Sequence, residues 1–172
     1  MSDILGLINN RHSVREFDGR PVEREALNKI LEAGRLSPSA RNTQPWKLYC
    51  AASRDFVAYT AQAIMVTGKN MFCADAGAFI AITEEPLPDG VTMARRYAEY
   101  DIGMCIMQMC LEAESLGVGS CILGTYSEEA VKCALEIPFD RTVSMVIAFG
   151  YSAEKSTRQK NRTSFEDSVV IR

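Results

Sequence analysis

Arg11, His12, Ser13 and Arg15 stand within the five-residue run RHSVR, and His12 is the only histidine among 172 residues. Two guanidinium forks, a hydroxyl and closely spaced backbone amides suit the gripping of a phosphate, because arginine is planar, permanently charged and bidentate. A second basic run, KSTRQKNR, lies near the other end and holds Lys155, Arg158, Lys160 and Arg162. Either cluster alone reads equally well as solvated surface. Together they say more, because the chain has 19 basic against 22 acidic side chains, a formal charge of -3 and a pI near 5.3. Such a chain lacks the broad basic surface of a nucleic-acid binder. If its two cationic loops meet, they make a local anion site.

The run SPSARNTQP, residues 37–45, places Ser39, Asn42 and Gln44 between Pro38 and Pro45. It can present backbone and side-chain amides to a flat polar ring, or it can be a capped loop entering a strand. GVGSCILG, residues 117–124, lacks the Lys-Ser/Thr ending of a phosphate loop. It reads as a turn and a buried strand, with Gly124 permitting close backbone approach.

Several chemistries have no residues to support them. There is no G-x-S-x-G elbow and no G-x-G-x-x-G before a helix. One histidine cannot build a histidine-rich metal site, and no metal is expected. The six cysteines, at 50, 73, 105, 110, 121 and 133, form no C-x-x-C pair and sit in apolar segments, so buried free thiols are expected. Nothing marks protein-based nucleophilic or acid–base catalysis, so a bound cofactor must carry any reaction.

The elements that position these residues follow from capping and periodicity. Ser2 is expected to cap a short helix with Ile4, Leu5 and Ile8 on its inner side. A loop with turns at Asp18-Gly19 and Pro21 leads to a helix over 22–36, where Leu27, Ile30, Leu31 and Gly34 share a face until Pro38 stops it. A strand is expected at 46–51, and Ser53 opens a helix to about residue 65. Another strand falls at 77–83, before a loop, EEPLPDG, with two prolines. Gly117 ends a helix over 98–116, a strand follows at 120–123, Ser127 caps a helix to 136, and TVSMVIAFGY, 142–151, is the strongest strand signal. The polar tail turns apolar at Val169, Val170 and Ile171, so it should pack on something.

With 47% hydrophobic residues and no repeat or linker, the chain reads as one α/β or α+β sandwich domain over 1–172. It has no run of membrane-spanning length, and MSDILGLINN does not match a signal peptide, so a cytoplasmic location away from membranes is expected. The helix at 98–116 is apolar all round and should be buried on most sides. A central core helix in a monomer and a subunit interface both account for that.

The fragments RHSVREF, PV, ILEAGRLSPSARNTQPWKLY, DIGMCIMQMCLEAESLGVGSCILG, IPFDRTVSMVIAFGY and KNR occur in this order through nearly the whole chain. The ordered set resembles the nitroreductase family of FMN enzymes. The resemblance implies an α+β sandwich, a central mostly antiparallel sheet flanked by helices, and an intertwined homodimer with FMN at the interface. It implies that Arg11, His12 and Ser13 hold the FMN phosphate and ribityl chain, and that Arg15 reaches the pyrimidine edge of the ring. Lys160 and Arg162 match tail cations that reach the same phosphate. Pro38, Ser39, Ala40 and Asn42 match a loop that packs on the ring from the other subunit. Leu123 and Gly124 match the backbone near the flavin on its own side, and Asn70 matches a flavin-contacting asparagine. The helix at 98–116 matches the dimer core. The expected reaction passes a hydride from NAD(P)H to flavin N5 and then, in ping-pong order, to a nitroaromatic, quinone or enone. A same-fold enzyme of narrower task, such as reductive dehalogenation or flavin breakdown, and a non-catalytic FMN-binding or redox-sensing protein are the alternatives. Residues 83–93 form a short link where larger members insert helical material that roofs the pocket.

Overall fold

The computed structural model describes residues 3–87, 97–153 and 160–172. One sheet forms its centre: β1 (Trp46–Ala51), β2 (Ala78–Glu84), β3 (Gly119–Leu123) and β4 (Thr142–Gly150). The order is β1-β2-β4-β3 and every pair is antiparallel. β2 and β4 are the interior strands, and each has a helical layer on both faces. Phe79 and Ala81 point into the layer of α3 (Arg54–Met65) and α5 (Glu128–Leu135), beside Ile64 and Val131. Ile80 and Ile82 point into the layer of α2 (Arg24–Arg35) and α4 (Ala98–Ser115), beside Ile30 and Met109. Burial on both faces is why these strands read as continuous apolar runs rather than alternating ones. The expected α+β class, with helices flanking an antiparallel sheet, is the class observed.

Local signals set most of the boundaries. Ser53 Oγ accepts from Phe56 N at 3.4 Å to open α3, and Ser127 Oγ accepts from Ala130 N at 3.3 Å to open α5. Gly117 ends α4 at a φ of 71°. α1 (Ile4–Asn10) is capped by Asp3, whose carboxylate accepts from Leu5 N at 3.4 Å; Ser2 lies outside the described residues. Ile4, Leu5 and Ile8 do not face inward as expected. They are exposed, because α1 lies beside α4 on the outside of the sandwich, with no further layer over it among the described residues.

α4 is divided in a related way. Ile102, Cys105, Ile106, Met109 and Ala113 bury one face against the sheet and α2. The opposite stripe of Tyr100, Met104 and Met107 is exposed, Tyr100 at 70%. Val170 and Ile171, beyond the short helix α6 (Phe165–Ser168), are likewise 79% and 83% exposed. The apolar tail therefore packs on nothing within the described chain. Cys73, Cys105, Cys110 and Cys121 are buried and Cys50 half-buried, while Cys133 is exposed, contrary to the expectation for all six. Burial pushes the Cys73 and Cys105 thiols up to about 12 and Cys50 to about 11, so these are poor nucleophiles.

The loop carrying the first cationic run is seated on one end of the sheet. Val14 N donates to Ser120 O at 3.0 Å, Asp18 N to Tyr151 O at 3.0 Å, and Ala153 N to Glu16 O at 2.9 Å. Val14 and Phe17 are buried beneath it. They fit because Gly119 and Gly150, paired across β3 and β4, present no side chains there. A Cβ on Gly119 would lie 2.7 Å from Val14 Cγ2, and one on Gly150 would lie 2.8 Å from Phe17 Cδ1. We expect Gly119→Ala to destabilise the fold by about 1–3 kcal/mol, because a β-branched neighbour has no rotamer to retreat into. Urea unfolding measures this, and a loss under about 0.5 kcal/mol would mean that the loop is not clamped as described.

Candidate functional site

The two basic runs meet. Lys160 donates to the carbonyl of Ile8, which brings the tail back onto α1 beside Arg11. Burial holds the Lys160 ammonium below its ordinary pKa, and the Arg11 and Arg162 charges push the same way, with only Glu114 opposing. Three cations thus share one small region. None of them forms an ion pair with another described residue; the described ion pairs lie elsewhere, as in Arg20–Asp18 and Arg141–Glu85. Like charges gathered without a bonded carboxylate form a site for an anion rather than a structural salt bridge. Lys155 and Arg158 lie outside the described residues.

The rest of the first run continues from this point along the sheet. His12 Nδ1 lies 3.1 Å from Asn10 O, and Ser13 forms a parallel bridge with Ser120. Arg15 is exposed one step further on. Arg11 also acts on the buried Cys110 of α4, whose thiol is hydrogen-bonded to Ser120; burial nevertheless dominates and raises that thiol's pKa. Leu123 ends β3 and is buried, while Gly124 follows it at the surface, with open space where a Cβ would stand. Asn70 adopts a left-handed φ of 55° and donates from Nδ2 to Thr125 O at 2.8 Å, which ties it to the 123–125 segment.

Pro38, Ser39, Ala40 and Asn42 lie in a loop with an unusual backbone. Arg41, Asn42 and Gln44 have φ of 54°, 56° and 48°, and none is glycine. The loop clasps itself: Ser39 Oγ accepts from Gln44 N at 2.9 Å, and Thr43 Oγ1 donates to Ala40 O at 3.0 Å. It is tied to the body of the fold by Asp101, which accepts from Ala40 N at 3.1 Å, and at its far end by Glu85, whose N donates to Pro45 O at 3.2 Å. Asp101 was not picked out by motif. Its signal is periodicity: an acid occupies an inner position of α4, in register with Ala98, Cys105 and Met109.

The candidate residues therefore form two groups on one helix. The loop attaches at residue 101 and the cations lie near residue 110, about 14 Å apart along the axis at 1.5 Å per residue. Groups of three or more His, Cys, Asp or Glu placed for a metal are absent among the described residues. Among the same residues, no helix is long and apolar enough to cross a membrane.

The model of the nitroreductase family matches residues 8–68 and 52–151. The chain belongs to the nitroreductase family. That makes it an oxidoreductase of the nitroreductase type. An oxygen-insensitive NADPH nitroreductase from Helicobacter acinonychis is 27% identical over 194 residues, covering 90% of this chain and 92% of the relative. A Thermus thermophilus NADH dehydrogenase is 27% identical over 173 residues, covering 84% of each chain. Among solved structures, an FMN-dependent nitroreductase from Clostridium difficile superposes with a TM-score of 0.78 at 22% identity, over 97% of this chain and 98% of that one.

The residues present suit FMN in this family's manner. Arg11, Lys160 and Arg162 bring three positive charges together, as a phosphate requires, and a Cβ at Gly124 would meet nothing within 4 Å. Replacing Arg11 or Arg162 by Ala should weaken FMN binding by roughly 10–100-fold, since each removes a charge-assisted contact of about 1.5–3 kcal/mol. Arg24→Ala, on the exposed side of α2, should leave it unchanged. Fluorescence titration of the three variants decides, and equal affinities would place the anion elsewhere.

Proposed function

We propose that the chain is an FMN-dependent oxidoreductase that draws on NAD(P)H and reduces a small organic acceptor such as a nitroaromatic, quinone or enone. The observation that carries this reading is the convergence of Arg11, Lys160 and Arg162, with no ion pair to a carboxylate among the described residues, in a chain of the nitroreductase family. The names of the relatives, two of which specify NADPH or NADH, support the nicotinamide donor.

When bound, FMN supplies the two-electron chemistry, taking a hydride and giving it up again. The chain's own residues bind and orient it. Arg11, Lys160 and Arg162 fix the phosphate, with His12 and Ser13 beside them on the clamped loop. Arg15 supplies a permanent positive charge at the pyrimidine edge, which favours reduction there. Asn70 and the Leu123-Gly124 backbone line the ring on one side, and Pro38, Ser39, Ala40 and Asn42 of a second copy cover the other.

The same geometry supports a homodimer. The exposed stripe Tyr100, Met104 and Met107, with Ile4, Leu5 and Ile8 of α1 beside it, is an apolar face that the described residues leave bare. A second copy of α4, antiparallel and crossing midway between Met104 and Met107, sets residue 101 of one helix level with residue 110 of the other. The two groups of site residues, about 14 Å apart on one helix, are then joined across the interface. The apolar end Val169-Val170-Ile171 packs on the partner, as a strand added to a sheet edge.

The purified protein should be a yellow dimer with about one FMN per chain, and should oxidise NADH or NADPH when an acceptor is supplied without oxygen. Light scattering, flavin absorbance and steady-state turnover measure the three properties. A colourless monomer indifferent to added FMN contradicts the reading. A flavin-loaded dimer without turnover on any acceptor class points to a non-catalytic flavin binder.

A further inference from the structure

We propose that Asp101 is the positioning residue of the flavin site, its buried carboxylate holding the Ala40 amide and so fixing the left-handed 41–44 run in its working shape. The proposal rests on the reading above, in which that loop covers the flavin.

Asp101 is 2% exposed, lies on the buried face of an otherwise apolar helix, and forms no ion pair with another described residue. Removing a carboxylate from water costs several kcal/mol unless its oxygens find donors. The donor here is Ala40 N, 61 positions away in sequence. Among the described residues, the other hydrogen bonds of residues 39–43 stay within the loop: Asn42 N to Ser39 O, Thr43 N to Ala40 O, and Gln44 Nε2 to Asn42 O. These bonds define the loop's shape, and its far end is joined to the sandwich where Glu85 N donates to Pro45 O at 3.2 Å, so Asp101 supplies the hold at the Ala40 end.

The loop needs a hold at its Ala40 end as well. Left-handed backbone costs about 1–2 kcal/mol at a residue with a Cβ, somewhat less at Asn42, and Arg41 and Gln44 have no compensating side-chain preference. Without an anchor the run would relax towards ordinary φ, and Ser39 and Asn42 would turn away from the site. A charge-assisted hydrogen bond from the rigid helix opposes that relaxation. α4 also carries the buried Cys110, beside Arg11. One rigid helix thus sets the spacing of the loop and the phosphate cations, and Asp101 transmits that spacing to the loop.

The test uses the FMN-loaded dimer and four variants. Asp101→Ala should weaken FMN by about tenfold or more and shift the visible absorption of the bound flavin, because an unanchored loop changes the ring's surroundings. Asp101→Glu, which lengthens the arm by one methylene, should shift the spectrum in the same way. Asp101→Asn keeps an oxygen that accepts from Ala40 N, and should restore the spectrum and bring affinity to within about threefold of wild type. Ile106→Val, a cavity on the same buried face, should lower the melting temperature yet leave affinity and spectrum unchanged. Should the alanine variant not fold, the Glu and Asn variants still decide by their opposite spectra. Wild-type affinity and spectrum in whichever of the Ala and Glu variants folds would overturn the proposal. So would an Ile106→Val variant that reproduces the flavin shift, since destabilisation alone would then explain it. Failure of the wild-type protein to bind FMN would instead remove the functional reading on which the proposal rests.

Discussion

Arg11, Lys160 and Arg162 repel one another, and the fold must hold them together all the same. Burial, and after it the two neighbouring arginines, keep the Lys160 ammonium below its ordinary pKa. Such an arrangement survives only if the backbone on both sides is firmly fixed. Arg11 sits at the end of α1, at the head of a loop clamped to β3 and β4 over the Gly119–Gly150 pair. Lys160 is drawn onto the Ile8 carbonyl from the far end of the chain. The apolar packing of Val14 and Phe17 thus stabilises charges that would otherwise separate. A bound dianion reverses the sign of the interaction, so the same cluster turns from a cost of folding into a source of affinity.

The second organising feature is α4. Its inner face completes the core against β2, β4 and α2. Gly34 of α2 lets that helix come close: a Cβ there would lie 2.8 Å from Met109 Cγ. Along its length the helix meets the Ala40 loop at one point and the surroundings of Arg11 at another. On its outer face Tyr100, Met104 and Met107 are bare among the described residues. A helix that fixes two halves of a site and leaves a greasy stripe between them is suited to pairing with a copy of itself, and the shared reading of cofactor and dimer stands on that coincidence.

Much of this was legible in the sequence where a local rule decides. Ser53 and Ser127 mark their helix starts because an N-cap is a local contact. β2 and β4 show as apolar runs because both of their faces are buried. The direction of α1 is not legible, because Ile4, Leu5 and Ile8 form an amphipathic pattern whichever surface covers it, and among the described residues nothing does. Cys133 was misread for a similar reason: its helix is apolar enough, but its position on α5 faces out. The meeting of Arg11 with Lys160 could be suggested from composition but not read, since about 150 residues separate them and only tertiary structure closes that gap. Asp101 left a periodic signal, yet no motif marks an acid that serves a backbone amide 61 residues away.

The central claim is that this cationic cluster exists to hold a phosphate on a flavin. It is tested most directly by titrating the flavin-free protein with FMN and with riboflavin, which differ only in that phosphate, at low and high salt. FMN should bind about 100-fold more tightly or better, and the difference should narrow as salt screens the cluster. Equal affinity for the two flavins at every salt concentration would contradict the account.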